Sequence, residues 1–211
     1  MDDINILSVD FDWIMEPSIK AYNDITDGLI PLDETLASSP GITISPSYAK
    51  FKDLVIYTGN IAQTMVASNH VVFGKNHNEI ITSIENIWHI NRPYNIYNID
   101  HHHDCGYTVE TLEELYNQGL GCGNWVPYCK NLNEYIWINN RNSDLQIIDE
   151  VFQNFHKFTR TSDLHLIDYI PFDYMFVCLS PGWIPSKLFP LYDVLKFNIE
   201  TVLRFKEGNR C

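Results

Sequence analysis

Short apolar segments recur along the chain, separated by turn-forming residues or by stretches in which apolar residues have helical spacing. Segments of this length with β-prone residues indicate buried β-strands. Strands are predicted at residues 4–9, 70–73, 94–99, 134–138, 164–167 and 174–179.

Helical spacing fills most of the intervals between these strands. Asn76 is a suitable N-cap, and Ile80, Ile84 and Ile87 follow it on one helical face. Further helices are predicted at residues 47–67, 109–117, 145–155 and 187–205, with a short one beginning within 124–129. The alternation predicts an α/β fold with three layers, in which a mainly parallel sheet carries helices on both faces. The length of 211 residues and the 45% hydrophobic content fit a single domain spanning residues 1–211.

The segment from Met15 to Pro46 breaks this alternation. It contains Pro17, Pro31, Pro40 and Pro46 together with several glycine and serine residues. We therefore expect mostly irregular structure with one short helix. The part from Pro31 to Pro46 is a candidate lid or rim for a functional site.

Three predicted strands are followed by side chains that can bind metal ions. They are Asp10 and Asp12 after the first strand, His77 after the second, and Asp100, His102 and Asp104 after the third. Because the carboxyl ends of parallel strands share one edge of a sheet, we expect these side chains to converge. A row of histidines can otherwise be a solvated loop, and Asp-x-Asp an ordinary turn. Their shared placement at strand ends favours a metal site, and oxygen and nitrogen ligands without thiolate suit Mn, Fe or Zn.

Four carboxylates and two imidazoles can hold two divalent ions with positions left for water. Such a pair of ions supplies hydroxide at neutral pH and stabilises the intermediate that hydroxide forms, so the predicted chemistry is metal-assisted hydrolysis. Alternate residues of an extended segment point the same way, which turns His101 and His103 away from the ligands. These two histidines are candidates for supporting the ligands or for transferring protons in catalysis.

The net charge of −13 argues against a nucleic-acid-binding surface and favours a metal or a cationic substrate. The five cysteines are odd in number and form no Cys-x-x-Cys pair, so neither a disulfide framework nor a zinc ribbon is indicated. The first residues lack the basic and apolar regions of a signal peptide, and no apolar segment approaches the ~20 residues of a membrane span. We therefore expect a soluble cytoplasmic protein.

Two of the candidate segments resemble motifs of a known superfamily. The run from Asp100 to Asp104 is similar to the DxHxD motif of the arginase and ureohydrolase superfamily, and the run from Ser8 to Asp12 resembles its SxDxD motif. The closest resemblance is to a small family that includes peptide arginases, which convert arginine side chains of ribosomal peptides to ornithine. Segments 70–79, 123–137 and 178–185 extend the similarity over most of the chain.

The resemblance implies an arginase-like hydrolase with two Mn²⁺ ions, Fe²⁺ and Zn²⁺ being alternatives. It implies that Asp10 and Asp100 bridge the ions, that His77 and Asp104 complete one site, and that His102 and Asp12 complete the other. The implied substrate is an arginine-containing peptide or a small guanidino compound.

A guanidinium group requires an acidic contact, for which Glu16, Asp24 and Asp173 are candidates. Trp183, which lies between Pro181 and Pro185 in a predicted strand-end loop, is a candidate for lining the substrate pocket.

Three other functions fit the same residues. The run from Ile99 to Asp104 also resembles the signature of DHH phosphoesterases, which hydrolyse with paired Mn²⁺ but usually have a longer chain and an anionic substrate. The segment from Ser8 to Trp13 resembles the nucleophile element of haloacid-dehalogenase-type phosphatases, without a clear matching lysine motif. A non-catalytic protein that binds metal or a partner would keep the fold without turnover.

Overall fold

The computed structural model describes residues 3–17, 32–33, 44–65, 68–106, 111–141, 143 and 158–208. Its strands in chain order are β1 (Ile4–Asp10), β2 (Met15–Pro17), β3 (Ile44–Pro46), β4 (Val71–Gly74), β5 (Tyr94–Asp100), β6 (Leu132–Asn139), β7 (Phe158–Thr161) and β8 (Tyr174–Cys178). Six of them form one parallel sheet in the order β4-β8-β1-β5-β6-β7. Strands β2 and β3 form a separate antiparallel pair.

The described α-helices are α1 (Tyr48–Thr64), α2 (Glu79–Thr82), α3 (Leu112–Gln118) and α4 (Phe189–Gly208). The side chain of Ser47 caps α1 by accepting a hydrogen bond from the Lys50 amide. Helix α2 continues directly into a π-helical turn, Ser83–Ile87. Shorter 3-10 turns include Phe11–Ile14, Val126–Tyr128 and Leu164–Ile167.

The sheet is buried on both faces, as the central strand β1 shows. Leu7 and Val9 point into one hydrophobic core, which also contains buried residues of α1 and α4. Ile4 and Ile6 point into a second core, which contains residues of α2, of the following π turn and of the loop before β6. The prediction of a three-layer α/β fold with a parallel sheet and helices on both faces is confirmed.

Two local predictions are wrong. Residues Leu164–Ile167 form a 3-10 turn instead of a strand, because the Asp163 side chain accepts a hydrogen bond from the His165 amide at 3.0 Å and starts the turn. The edge strand in this region is β7, which was not predicted.

Asn76 does not begin a helix; α2 begins at Glu79. Backbone hydrogen bonds from Glu79, Ile80 and Ile81 to the carbonyls three residues earlier form a tight turn before the helix. The Glu79 carboxylate also accepts the Asn76 amide at 2.9 Å. His77 lies in this turn, between the end of β4 and the start of α2.

The predicted helix at 145–155 and most of the candidate lid lie outside the described residues. Of the lid segment, Leu32, Asp33 and β3 are described. No described helix combines the length and the apolar character needed to cross a membrane.

Candidate metal centre

The predicted ligands converge at the carboxyl edge of the sheet. Strands β1 and β5 are parallel neighbours with Val9 opposite Ile99, so Asp10 and Asp100 emerge side by side. Strand β4 lies on the other side of β1, beyond β8, and its end leads to His77. The chain therefore leaves β1 in one direction to reach β4 and returns to β5 on the other side, which is the arrangement that opens a crevice in α/β sheets.

The turn after β1 sets the position of Asp12. Asp10 accepts a hydrogen bond from the Asp12 amide at 3.2 Å and so begins the 3-10 turn Phe11–Ile14. The Asp12 side chain is also held from the residue that follows β5, because the His101 amide donates to Asp12 Oδ1 at 3.3 Å. Asp12 is fully buried as a result.

The histidine loop turns back on itself after β5. Asp100 Oδ1 accepts the His102 amide at 2.8 Å, and Asp104 adopts a left-handed backbone conformation with φ of 52°. Aspartate tolerates this region better than most residues. The carbonyl of Asp104 accepts the Val126 amide at 3.1 Å, which ties the loop to the segment before β6.

Two groups of ligand atoms result, and each is compact enough to hold a metal ion. Asp10, His77 and Asp100 form one group, and Asp12, Asp100 and His102 form the other, with ligand atoms within 4.8 Å of one another in each. All five residues are buried, and Asp100 belongs to both groups.

Asp104 joins the first group through His77. The Nδ1 atom of His77 lies 3.2 Å from Asp10 Oδ2, 3.0 Å from Asp100 Oδ2 and 2.8 Å from Asp104 Oδ2. A single ring nitrogen cannot donate to three oxygens, and within the described part of the chain His77 Nδ1 makes no hydrogen bond of acceptable geometry. Ligand atoms gather in this way around a bound cation, with three carboxylate oxygens close to one imidazole nitrogen. The residues therefore fit a metal ion.

The charge of the cluster supports the same conclusion. Even with His77 and His102 both protonated, four carboxylates against two imidazolium groups leave an excess of negative charge. Among the described residues, no lysine or arginine lies within salt-bridge distance of the four aspartates. Buried charge without a partner is costly, so a cation would stabilise this centre.

The pKa values of the ligands show how strongly the centre attracts positive charge. Burial and the charge of Asp10 raise the pKa of Asp12 to about 8, and burial with the charges of Asp104 and Asp10 raises the pKa of Asp100 to about 7. Burial alone would lower the pKa of His102, but the nearby Asp12 carboxylate raises it to about 9. Burial likewise opposes the charge of Asp104 at His77, whose pKa is nevertheless raised well above its usual value.

A second layer of side chains orients the ligands. Ser8 Oγ lies 2.7 Å from Nε2 of His77, so the two ring nitrogens of this histidine have distinct partners. Asn98 donates to Asp100 Oδ2 at 3.0 Å, Trp125 donates from Nε1 to Asp104 Oδ2, and Ser180 donates to Asp10 Oδ2.

None of these supporting roles was predicted from the sequence. Ser8 and Asn98 each lie two residues before a ligand in the same strand, so the alternation of β-strands is a signal that could have found them. Trp125 and Ser180 come from distant loops. Trp125 is fully buried.

The remaining predicted site residues are placed as follows. His101 and His103 are buried on either side of His102 in the loop. His103 Nδ1 accepts the Cys105 amide at 3.1 Å, and its ring packs edge-on against Trp137. The ring of Trp183 lies 4.1 Å from that of His102, centroid to centroid, so the structure brings Trp183 to the metal centre.

The acidic candidates for guanidinium binding are separated by the fold. Glu16 lies on β2, where its carboxylate is 3.4 Å from Nζ of Lys50 and its side chain is 46% exposed. Asp173 is excluded, because it precedes β8 at the amino edge of the sheet and accepts the Asn5 amide there. Asp24 lies outside the described residues.

Comparison of the chain with protein-family models, with curated proteins and with solved structures gave no match.

Metal binding is expected to stabilise the fold. Mn²⁺ at a hundredfold excess over its Kd should add about 2.7 kcal/mol and raise Tm by roughly 5–10 °C for a domain of this size. Thermal unfolding with and without Mn²⁺, and again after a chelator, measures this effect. The variant Asp100→Asn, which removes the carboxylate common to both groups, should lose the rise, and an unchanged Tm in the wild type would contradict a metal centre.

The contact between Ser8 and His77 provides a second prediction. Ser8→Ala should lower metal affinity by about 10- to 100-fold, because His77 loses the partner that fixes its ring orientation. The matched control is Ser83→Ala, since Ser83 is also buried but hydrogen-bonds within helix α2, away from the cluster. Equal metal affinities of the two variants, measured by calorimetric titration, would show that Ser8 does not orient the ligand.

Proposed function

We propose that this chain is a dinuclear Mn²⁺-dependent hydrolase that cleaves a guanidino group, converting arginine to ornithine and urea within a peptide or protein. The observation that carries the proposal is the pair of buried ligand groups that share Asp100. The resemblance of the DxHxD and SxDxD segments to arginases and ureohydrolases supports the choice of reaction, and the resemblance to peptide arginases supports a peptide substrate.

The shared carboxylate is the reason for proposing two ions. Asp100 presents Oδ2 toward His77 and Oδ1 toward His102, at 3.0 and 3.9 Å from the respective Nδ1 atoms. A carboxylate with one oxygen directed to each imidazole is suited to bridging. By the resemblance to arginases, Asp10 would be a second carboxylate shared by the ions, His77 and Asp104 would complete one site, and His102 and Asp12 would complete the other.

Bound divalent ions supply a nucleophile at neutral pH by lowering the pKa of water, and they stabilise the negative charge that develops during hydrolysis. The chain itself must exclude bulk water, hold the ligands and carry protons. Burial of all six ligands excludes bulk water, and the hydrogen bonds from Ser8, Asn98 and Ser180 hold the ligands in place. His101 and His103 are the two candidates for proton transfer to the departing amine: Nδ1 of His103 accepts the Cys105 amide, and burial lowers the pKa of His101 well below its usual range.

A cationic guanidinium fits the surroundings of the centre. The net charge of −13 attracts cations, and the partly buried indole of Trp183 beside His102 offers an aromatic face to a guanidinium. Glu16 is the remaining described candidate for an acidic contact, and its half-exposed carboxylate pairs with Lys50. An anionic phosphate ester would meet four buried carboxylates, which favours the guanidino substrate over the phosphoesterase alternative.

Metal content and product release test the proposal together. We expect about two Mn²⁺ per wild-type chain by elemental mass spectrometry, and loss of metal in Asp100→Ala. The metal-loaded wild type should release urea from arginine-containing peptides and leave ornithine in them. Hydrolysis of a generic aryl phosphate instead would indicate the phosphoesterase, and tight metal without any hydrolysis would indicate a non-catalytic protein. Absence of bound metal after reconstitution with Mn²⁺, Fe²⁺ or Zn²⁺ would overturn the mechanism.

Trp183 allows a test of substrate recognition that is independent of metal binding. Trp183→Ala should raise KM for the guanidino substrate by roughly 2- to 30-fold, the value of a cation–π contact, while metal content stays unchanged. Trp183→Phe keeps an aromatic face and should retain most of the affinity. Equal KM values for all three proteins would exclude Trp183 from substrate binding.

A further inference from the structure

Asn140 and Ser47 hold the turn that carries Asp12 from outside the metal cluster, the Ser47 amide by donating to the carbonyl of Ile14 at 2.8 Å. Both described hydrogen bonds from Asn140 Nδ2 go to this region, one to the carbonyl of Trp13 and one to that of Met15, each at 2.8 Å. These carbonyls bracket the end of the 3-10 turn Phe11–Ile14. Asn140 follows β6 directly and is almost fully buried, so the contact joins two segments far apart in sequence.

Lys50 in turn orients Asn140. Its Nζ atom, from the first turn of α1, donates to Asn140 Oδ1 at 2.7 Å and lies 3.4 Å from Glu16. The same ammonium group lies 5.9 Å from the centre of the Trp13 ring. Because Lys50 occupies the amide oxygen, the amide nitrogen of Asn140 must face the two backbone carbonyls.

The two ligand groups differ in the residues that support them. Those of the His77 group are Ser8, Ser180, Asn98 and Trp125, which contact His77, Asp10, Asp100 and Asp104. Asp12 belongs to the other group, and its turn is the part that Asn140 fixes. Among the described residues, Asp100 is the one that belongs to both groups.

We propose that Asn140, oriented by Lys50, is a positioning residue for the metal site formed by Asp12, Asp100 and His102. Loss of its two donated hydrogen bonds weakens that site and leaves the site of Asp10, His77 and Asp100 intact. The inference rests on the proposed binding of two ions. It assigns to a residue outside the cluster control over how many ions the centre holds.

The variant Asn140→Asp tests this with the smallest change of shape. It keeps an oxygen acceptor for Lys50 but removes both donors to the turn. Titration of metal-free protein with Mn²⁺ should show two binding events in the wild type. In the variant one event should persist and the other should weaken by about 10- to 100-fold. The electron paramagnetic resonance spectrum should change accordingly, from that of a coupled Mn²⁺ pair to that of an isolated ion.

The matched control is Asn198→Asp, because Asn198 on α4 also donates its amide to a backbone carbonyl, that of Val55, away from the centre. It should bind both ions as the wild type does. Lys50→Gln is the second variant. It leaves Asn140 unchanged, and it keeps the backbone amide of residue 50 that Ser47 caps at the start of α1. It should weaken the same binding event. If Asn140→Asp does not fold, the Lys50 variant alone tests whether Asn140 positions this site.

The outcomes separate this inference from the function on which it rests. A wild type that binds fewer than two ions overturns both the two-ion proposal and the inference. A wild type that binds two ions, with both events unchanged or equally weakened in the Asn140 and Lys50 variants, overturns the inference alone and leaves the hydrolase proposal standing.

Discussion

Four carboxylates buried together are the constraint on which the arrangement of this molecule depends. Asp10, Asp12, Asp100 and Asp104 are each at most 3% exposed, with two histidines as their only partners in ion pairs among the described residues. Such a cluster is strongly destabilising unless cations enter it. The pKa values of Asp12, Asp100, His77 and His102 are raised because protons are the cations that this cluster attracts when no metal ion is bound.

The parallel sheet brings these charges together without distorting the core. Burial of both faces requires apolar residues at most positions of β1 and β5. Of the polar exceptions, Asn5 and Asn95 are hydrogen-bonded to each other, whereas Ser8 and Asn98 are hydrogen-bonded to the candidate metal ligands. A buried polar group costs free energy unless it is paired, so these two residues have a place in the strands because the ligands are there. The centre and the strands beneath it form one connected hydrogen-bonded unit.

The proposed chemistry follows from how the centre divides into two. Asp100 serves both ligand groups, and its oxygens point to different histidines. The His77 group is supported from the sheet and the neighbouring loops, whereas the turn that carries Asp12 is held by the side chain of Asn140 together with the amides of Ser47 and His101. In the proposed enzyme the two ions would bind with different affinities, and the indole of Trp183 beside His102 would place the substrate next to the more weakly supported ion.

The sequence alone determined the layered α/β fold and five of the ligands that the structure groups together, because strand periodicity and strand-end placement are local properties of the chain. It missed the strand at Phe158–Thr161 and the turn at Leu164–Ile167. In that turn, one capping hydrogen bond accepted by Asp163 outweighs the apolar content. Only the tertiary structure decided that Trp125, Ser180 and Asn140 support Asp104, Asp10 and the turn of Asp12. These residues approach the centre through sheet pairing and loop packing between segments distant in sequence, and no local pattern records such a contact.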